Sequence, residues 1–217
     1  VTQAQPDGNT VLFAGAGLLT VNQYMHKSLP YDPSRDLTPV SGIAYADTVF
    51  VVSPSVQARD LKEFIALAKA AKPPLALASG GTGTTTHLFL ELLGDGAGFQ
   101  FLHVPYKGSA PALTEVLGGQ TTGTITALSI TLQNIRAGKL KALAMVGPQR
   151  SSAAPEIPTF AEQGVPGLDI TSWWALMAPR NTPPSVVAQL SQEVARALAG
   201  QEVRSKLEAA GITPWLL

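Results

Sequence analysis

The chain has 217 residues, with 15 Lys+Arg against 15 Asp+Glu for a formal net charge of +0, and it is 45% hydrophobic and 14% charged. A neutral balance gives no electrostatic reason for a nucleic-acid or anionic-membrane partner, and so apolar a composition folds around a core instead of staying disordered. The absence of cysteine excludes a disulfide framework, a thiol nucleophile and a cysteine metal site, and three His argue against a His-rich metal cluster.

In chain order, short β-type runs alternate with longer amphipathic helices, the pattern of an α/β protein. The length fits one large domain or two small ones. The opening, Val1-Thr2-Gln3-Ala4-Gln5-Pro6-Asp7-Gly8, has neither the basic start nor the apolar core of a secretory leader. Residues 10–14 read as the first strand, and Gly15-Ala16-Gly17 then opens an apolar segment. Pro30-Tyr31-Asp32-Pro33 is turn-like, and residues 48–52 read as a buried strand. Leu61, Phe64, Ile65 and Ala68 share one helical face, with Lys62, Glu63 and Lys69 largely off it. Past the Lys72-Pro73-Pro74 turn come a strand at 75–78, a helix from near Thr85, a strand at 101–104, a helix opening around Pro111 and a strand at 140–146. Residues 170–177 are bulky and apolar, either a strand buried on both faces or a crossing segment between domains, and as a strand they put Trp173 and Trp174 on opposite faces. Two helices close the chain. The first runs from about Pro184 to Ala199 with Val187, Leu190, Val194 and Leu198 inward; the second has Val203 and Leu207 inward and is stopped by Gly211. No stretch approaches the ~20 consecutive apolar residues of a membrane helix.

The segment richest in chemistry is Ser79-Gly80-Gly81-Thr82-Gly83-Thr84-Thr85-Thr86-His87, where an apolar strand enters a Gly/Thr loop and then a helix. Glycines lift the steric limit on φ, so successive N–H groups can turn into one concavity at a helix N-terminus, where an anion is favoured. A plain helix cap in a tight turn uses the same residue types, and both readings stay open at this point. The loop lacks the Lys of a phosphate-binding P-loop, and Thr86 stands where a dinucleotide fingerprint needs Gly or Ala. A second strand-loop-helix passage, His103-Val104-Pro105-Tyr106-Lys107-Gly108, sets Lys107 beside Tyr106, where a carboxylate partner competes with a simple solvated Lys. Ala14-Gly15-Ala16-Gly17 offers further backbone N–H groups. Ser79 and His87 could form a nucleophile and base, but no G-x-S-x-G elbow surrounds Ser79. His26, His87 and His103 lack the spacing of a zinc site, and Asp47 and Glu91 read as isolated carboxylates.

From Pro6-Asp7-Gly8 through Leu29-Pro30-Tyr31-Asp32-Pro33, the 79–87 loop, His103-Val104-Pro105-Tyr106-Lys107-Gly108, Gly118-Gly119-Gln120 and Ala137-Gly138-Lys139-Leu140, the sequence resembles the solute-binding proteins of tripartite tricarboxylate transporters, the Bug family of periplasmic receptors. The likeness continues in Ile157-Pro158-Thr159-Phe160, Gly164-Val165-Pro166-Gly167 and Ser172-Trp173 and so covers nearly the whole chain. It implies a type II periplasmic-binding-protein fold, with two α/β lobes, crossing strands and a ligand cleft. The first lobe would comprise 1–52 plus 170–217 and the second 53–169. Carried over by position, ligand contacts would come from Ser79, Gly81, Thr82, Gly83 and Thr84, from Gly15, Ala16 and Gly17, and from Thr126, with His87 supporting the loop or reaching the ligand.

Several positions depart from the family pattern. Thr126-Ala127 replaces the usual Asp-Asn pair, which removes a carboxylate that could face a ligand amine and makes an amino-acid ligand less attractive. Ala175 replaces a Gly after the Trp pair, and Arg180-Asn181 replaces a small-residue turn. The family's opening strand with its Gly-rich loop and its closing helix are not visible, so the first lobe is expected to be incomplete, covered by a partner copy, a domain swap or altered packing. The resemblance implies a periplasmic receptor without catalysis, cofactor or metal. It would capture a di-, tri- or aromatic carboxylate for the membrane subunits of a tripartite transporter. The alternatives are a structural or interaction module that no longer binds, and a hydrolase using Ser79 and His87.

Overall fold

The computed structural model describes residues 1–209 and 211–215. In chain order its elements begin with β1 (Leu12–Gly15), a π-helical turn (Gly17–Val21) running into α1 (Asn22–Met25), and α2 (Pro33–Asp36). Next come β2 (Leu37–Ala46), β3 (Thr48–Val52), α3 (Leu61–Ala70), β4 (Ala76–Ser79), α4 (Thr85–Ala97) and β5 (Leu102–Pro105). Then follow α5 (Ser109–Leu117), β6 (Gly123–Ala127), α6 (Leu128–Arg136), β7 (Lys141–Val146) and β8 (Ser172–Pro179), with α7 (Pro184–Ala199), α8 (Gln201–Ala209) and β9 (Ile212–Pro214) last. No described helix is long and apolar enough to cross a membrane.

Two compact units emerge, one of Val1–Ala46 with Ser172–Leu217 and the other of Asp47–Thr171. In the first, four strands run β1-β8-β2-β9, every pair antiparallel. β2 was not anticipated from the sequence: Pro39 and Gly42 interrupt its pattern, and each sits at a register shift against β8. From residue 172 on, the apolar 170–177 stretch lies in β8, an internal strand of this sheet whose first five residues are only half-buried and whose last three are buried. Trp173 lies 5.9 Å from Trp215 at an interplanar angle of 75°, while Trp174 packs by Gly15. Val203, expected to point inward from α8, is 38% exposed. Leu207 is half-buried, and of the four inward positions on α7 only Leu198 is fully buried.

The second unit holds five strands in the order β5-β4-β6-β3-β7. β4 is parallel to β5 and β6, and β3 is antiparallel to β6 and β7. β3, which the sequence reading left at the end of the first lobe, is therefore an internal strand of this sheet, and all five of its residues are buried. One face of the sheet packs Phe50, Leu77 and Ile125 against Leu61 and Phe64 of α3 and Phe89, Leu90 and Leu93 of α4. The opposite face packs Val49, Val51 and Ala78 against α5 and α6 through Leu113, Val116 and Leu128. Covering both faces with helices is what makes so apolar a strand as β3 stable. Local signals agree with the packing. Asp60 caps α3 by accepting the Glu63 N–H at 2.8 Å, and the Glu63 carboxylate reaches back to the Arg59 N–H at 2.8 Å, a reciprocal pair at the helix start. Arg59 holds the Glu63 carboxyl down at about 2.

Candidate functional site

Because β4, β5 and β6 are parallel, their carboxyl ends meet one edge of the sheet. The chain leaves β4 through α4 to β5 on one side, then crosses through α5 to β6 on the other. Strand order thus reverses between β4 and β6, the position at which open α/β sheets hold ligands.

The Gly/Thr turn lies at that reversal. Ser79, the last residue of β4 and fully buried, has its Oγ 2.6 Å from His103 Nε2 on β5 and accepts the Gly81 N–H at 3.1 Å. Gly80 donates its N–H to Thr86 Oγ1 at 3.0 Å, and Gly83 donates to His87 Nδ1 at 3.3 Å. Thr84 caps α4: its hydroxyl donates to the Gly81 carbonyl at 2.7 Å and accepts the His87 N–H at 3.4 Å. The Thr86 hydroxyl, 2.9 Å away, completes the chain by donating to Thr84 Oγ1. Gly81 and Gly83 adopt φ of +128 and +80, and a side chain at Gly81 would stand 3.1 Å from the Tyr106 carbonyl, so glycine is required there.

This differs from the sequence expectation in an instructive way. The N–H groups of Gly80, Gly81 and Gly83 are consumed by side chains of the turn itself. Among the described residues no internal acceptor serves the N–H groups of Thr82, Thr85 and Thr86, and the Thr82 side chain is exposed. The Thr85 and Thr86 groups open the first turn of a thirteen-residue helix and the Thr82 group lies in the loop before its N-cap, and these three remain available to an anion.

Beneath the turn the His87 and His103 rings stack, with centroids 3.9 Å apart at 17°, and His87 Nε2 lies 3.1 Å from Glu91 Oε1. Burial, and then the neighbouring His87, push the pKa of His103 below its ordinary value. Three participants were missed by sequence reasoning. Glu91 is four residues after His87, a helical spacing that signals the pair, whereas the Ser79–His103 bond spans 24 residues and had no local signal. Thr86 stands at the start of the expected helix, and no local signal shows that its hydroxyl braces Gly80.

The remaining candidates lie elsewhere. Thr126 is buried on β6, opposite Val49, and therefore on the α5/α6 face of the sheet, away from the Ser79 and histidine cluster; its Oγ1 has no partner among the described residues. Gly15, Ala16 and Gly17 belong to the other unit, at the end of β1 and the start of the π-helical turn, with the Trp174 indole nitrogen 3.4 Å from where a Gly15 side chain would begin. Ser79 pairs with His103, not with His87 as the hydrolase alternative needs, and its buried hydroxyl is engaged on both sides. Asp47, read as isolated, accepts the Ser151 hydroxyl. No group of three or more metal-ligating side chains occurs among the described residues.

Solved structures share this architecture. A structure described as a periplasmic transporter superposes with a TM-score of 0.91 at 36% identity, covering 100% of this chain and 72% of that one. Rpa4515 of R. palustris with adipate gives 0.89 at 32% identity (99% and 72%), and MatC of Rhodopseudomonas palustris with bound malate gives 0.87 at 29% (98% and 72%). The fold is therefore that of a type II periplasmic binding protein, a receptor architecture. The family described as the tripartite tricarboxylate transporter family receptor matches residues 1–217, and the chain belongs to that family. A protein encoded in the tcbD-tcbE intergenic region of Pseudomonas sp. strain P51 is 36% identical over 213 residues, which are 98% of this chain and 63% of that relative. The chain thus spans somewhat less than two thirds of that relative's length.

Proposed function

We propose that this protein is a periplasmic solute receptor that captures a small organic carboxylate for a tripartite tricarboxylate-type transporter. The observation that supports it most is the braced turn: its glycine amides are internally satisfied, and the N–H groups of Thr82 in the loop and of Thr85 and Thr86 in the first turn of α4 have no internal acceptor among the described residues, where strand order reverses. Charge-assisted N–H···O bonds to a carboxylate are stronger than neutral ones and act here with the helix dipole. The adipate and malate held by the two relatives belong to the same ligand class.

Residues take separate roles in this reading. Thr82, Thr85 and Thr86 present donors; Ser79, Gly81, Gly83, Thr84 and His87 set the turn. Thr126, buried on the α5/α6 face of the sheet, is given no ligand contact in this reading, and the Gly15-Ala16-Gly17 turn is a further candidate segment within its own unit. A transporter's membrane subunits are the proposed partners.

Calorimetric titration with straight-chain dicarboxylates, citrate and aromatic carboxylates, with amino acids and phosphate as controls, tests the proposal. One carboxylate class is expected to bind, and Thr84→Val to weaken it about tenfold by removing a hydrogen bond that orders the turn. Absence of binding by every carboxylate, in a protein that still melts cooperatively, would overturn it in favour of a non-binding interaction module.

A further inference from the structure

The two imidazoles below the ligand turn act as acceptors, and that fixes their protonation. A ring nitrogen that receives a hydrogen bond carries no proton. His87 Nδ1 receives the Gly83 N–H, so its proton sits on Nε2, facing the Glu91 carboxylate. Ser79 accepts from Gly81 and is fully buried, so its own hydroxyl hydrogen is satisfied by His103 Nε2. Both rings are then neutral, stacked 3.9 Å apart where two imidazolium charges would repel.

We propose that this stacked histidine pair is a pH-sensitive brace for the ligand turn: neutral, it holds the Gly81 and Gly83 amides, and on acidification it releases them and weakens carboxylate binding. A proton on His87 Nδ1 turns Gly83's acceptor into a competing donor, and a proton on His103 Nε2 turns the Ser79 hydroxyl hydrogen away from the acceptor it has among the described residues and reorients the Oγ that receives the Gly81 N–H. Burial and the adjacent ring favour neutral His103, in the same direction. The groups around the pair are few. Glu91 faces His87 from α4, β5 contributes His103 itself, and β4 contributes the uncharged Ser79. Glu115 on α5 is directed to Tyr106, not to either ring.

Loosening of the turn stands on this geometry alone; the loss of carboxylate binding rests on the function proposed above. The test is amide hydrogen exchange and imidazole nitrogen NMR on the wild-type protein from about pH 7.5 to about pH 5, a range that brackets the ordinary imidazole value of roughly 6.5. Protection of the Gly81 and Gly83 amides, corrected for intrinsic exchange, is expected to fall about tenfold or more with the midpoint of an imidazole titration, while Phe50 in β3 is unchanged. The double variant His87→Asn/His103→Gln replaces both ring acceptors with amide oxygens that do not titrate, and it is expected to abolish the dependence. Adipate calorimetry on both proteins removes the ligand's own titration from the comparison, and wild-type affinity is expected to fall about tenfold more than the variant's over the range. Amide protection that ignores the imidazole titration overturns the brace, and if the variant does not fold, the wild-type exchange decides the matter. Adipate that binds at neither pH, with the amide transition intact, supports the brace and refutes the carboxylate reading instead.

Discussion

In the Asp47–Thr171 unit the five-stranded sheet is covered on both faces, and its core runs from Phe50 and Phe64, with ring centroids 4.9 Å apart, to Val49, Met145 and Leu128 on the other side. In the Val1–Ala46 and Ser172–Leu217 unit the buried cluster is small, centred on Ala14, Leu37 and Met177, and a cavity of about 420 Å³ opens onto Trp173, Met177 and Trp215. The contrast shows that the braced turn stands on the unit with the deeper core, where a rigid strand and a long helix fix it from both ends. Hydrogen bonds between side chain and backbone can hold a glycine turn in one shape only if the elements carrying them do not shift.

The contrast can be broken first at the core. Phe50→Ala removes a ring that is fully buried between two other aromatics and is expected to cost about 3–5 kcal/mol in denaturant unfolding. Leu37→Ala, in the small cluster, is expected to cost less, about 2 kcal/mol, because the surroundings of a thin core collapse more readily onto the space. Equal losses at the two sites would erase the distinction. Thr84→Ala takes away the cap of α4 and is expected to cost about 1 kcal/mol in the same assay. Thr82→Ala, at an exposed side chain without a described bond, should leave the melt unchanged.

Acid sharpens the comparison further. Folding lowers the pKa of His103, so the unfolded chain binds the extra proton first as pH falls. The contribution is complete above the unfolded value of roughly 6.5 and is lost as pH falls from there through the lower folded value. A melting temperature that declines more steeply over this window in wild type than in His103→Gln is the expected outcome. A small effect belongs to Glu63→Gln: Arg59 holds that carboxyl at about 2, but the guanidinium is exposed and the carboxylate only half-buried, so solvent screens the pair and little change in melting at neutral pH is expected.

The legibility of these features in the sequence follows from how local their causes are. The face of α3 and the strand-turn-helix at 76–97 are written in short-range periodicity and in Gly and Thr at the turn, and both were readable. β2 was not, because Pro39 and Gly42 mask a ten-residue strand whose register slips twice. β6 reads as polar although Thr124 and Thr126 are buried; the Thr124 hydroxyl is satisfied only across strands, by the Ala78 carbonyl at 2.7 Å. At the candidate site the glycines signalled a backbone turn, but not which amides it would keep for itself. That depends on His103, brought in by parallel pairing from 24 residues away.

The most direct test of the central claim is an amide NMR titration with adipate. The Thr82, Thr85 and Thr86 amide resonances are expected to shift together and saturate with one dissociation constant, with the internally bonded Gly80, Gly81 and Gly83 amides moving less. Saturable adipate binding that moves none of these three threonine amides would contradict the assignment of the turn as the carboxylate site.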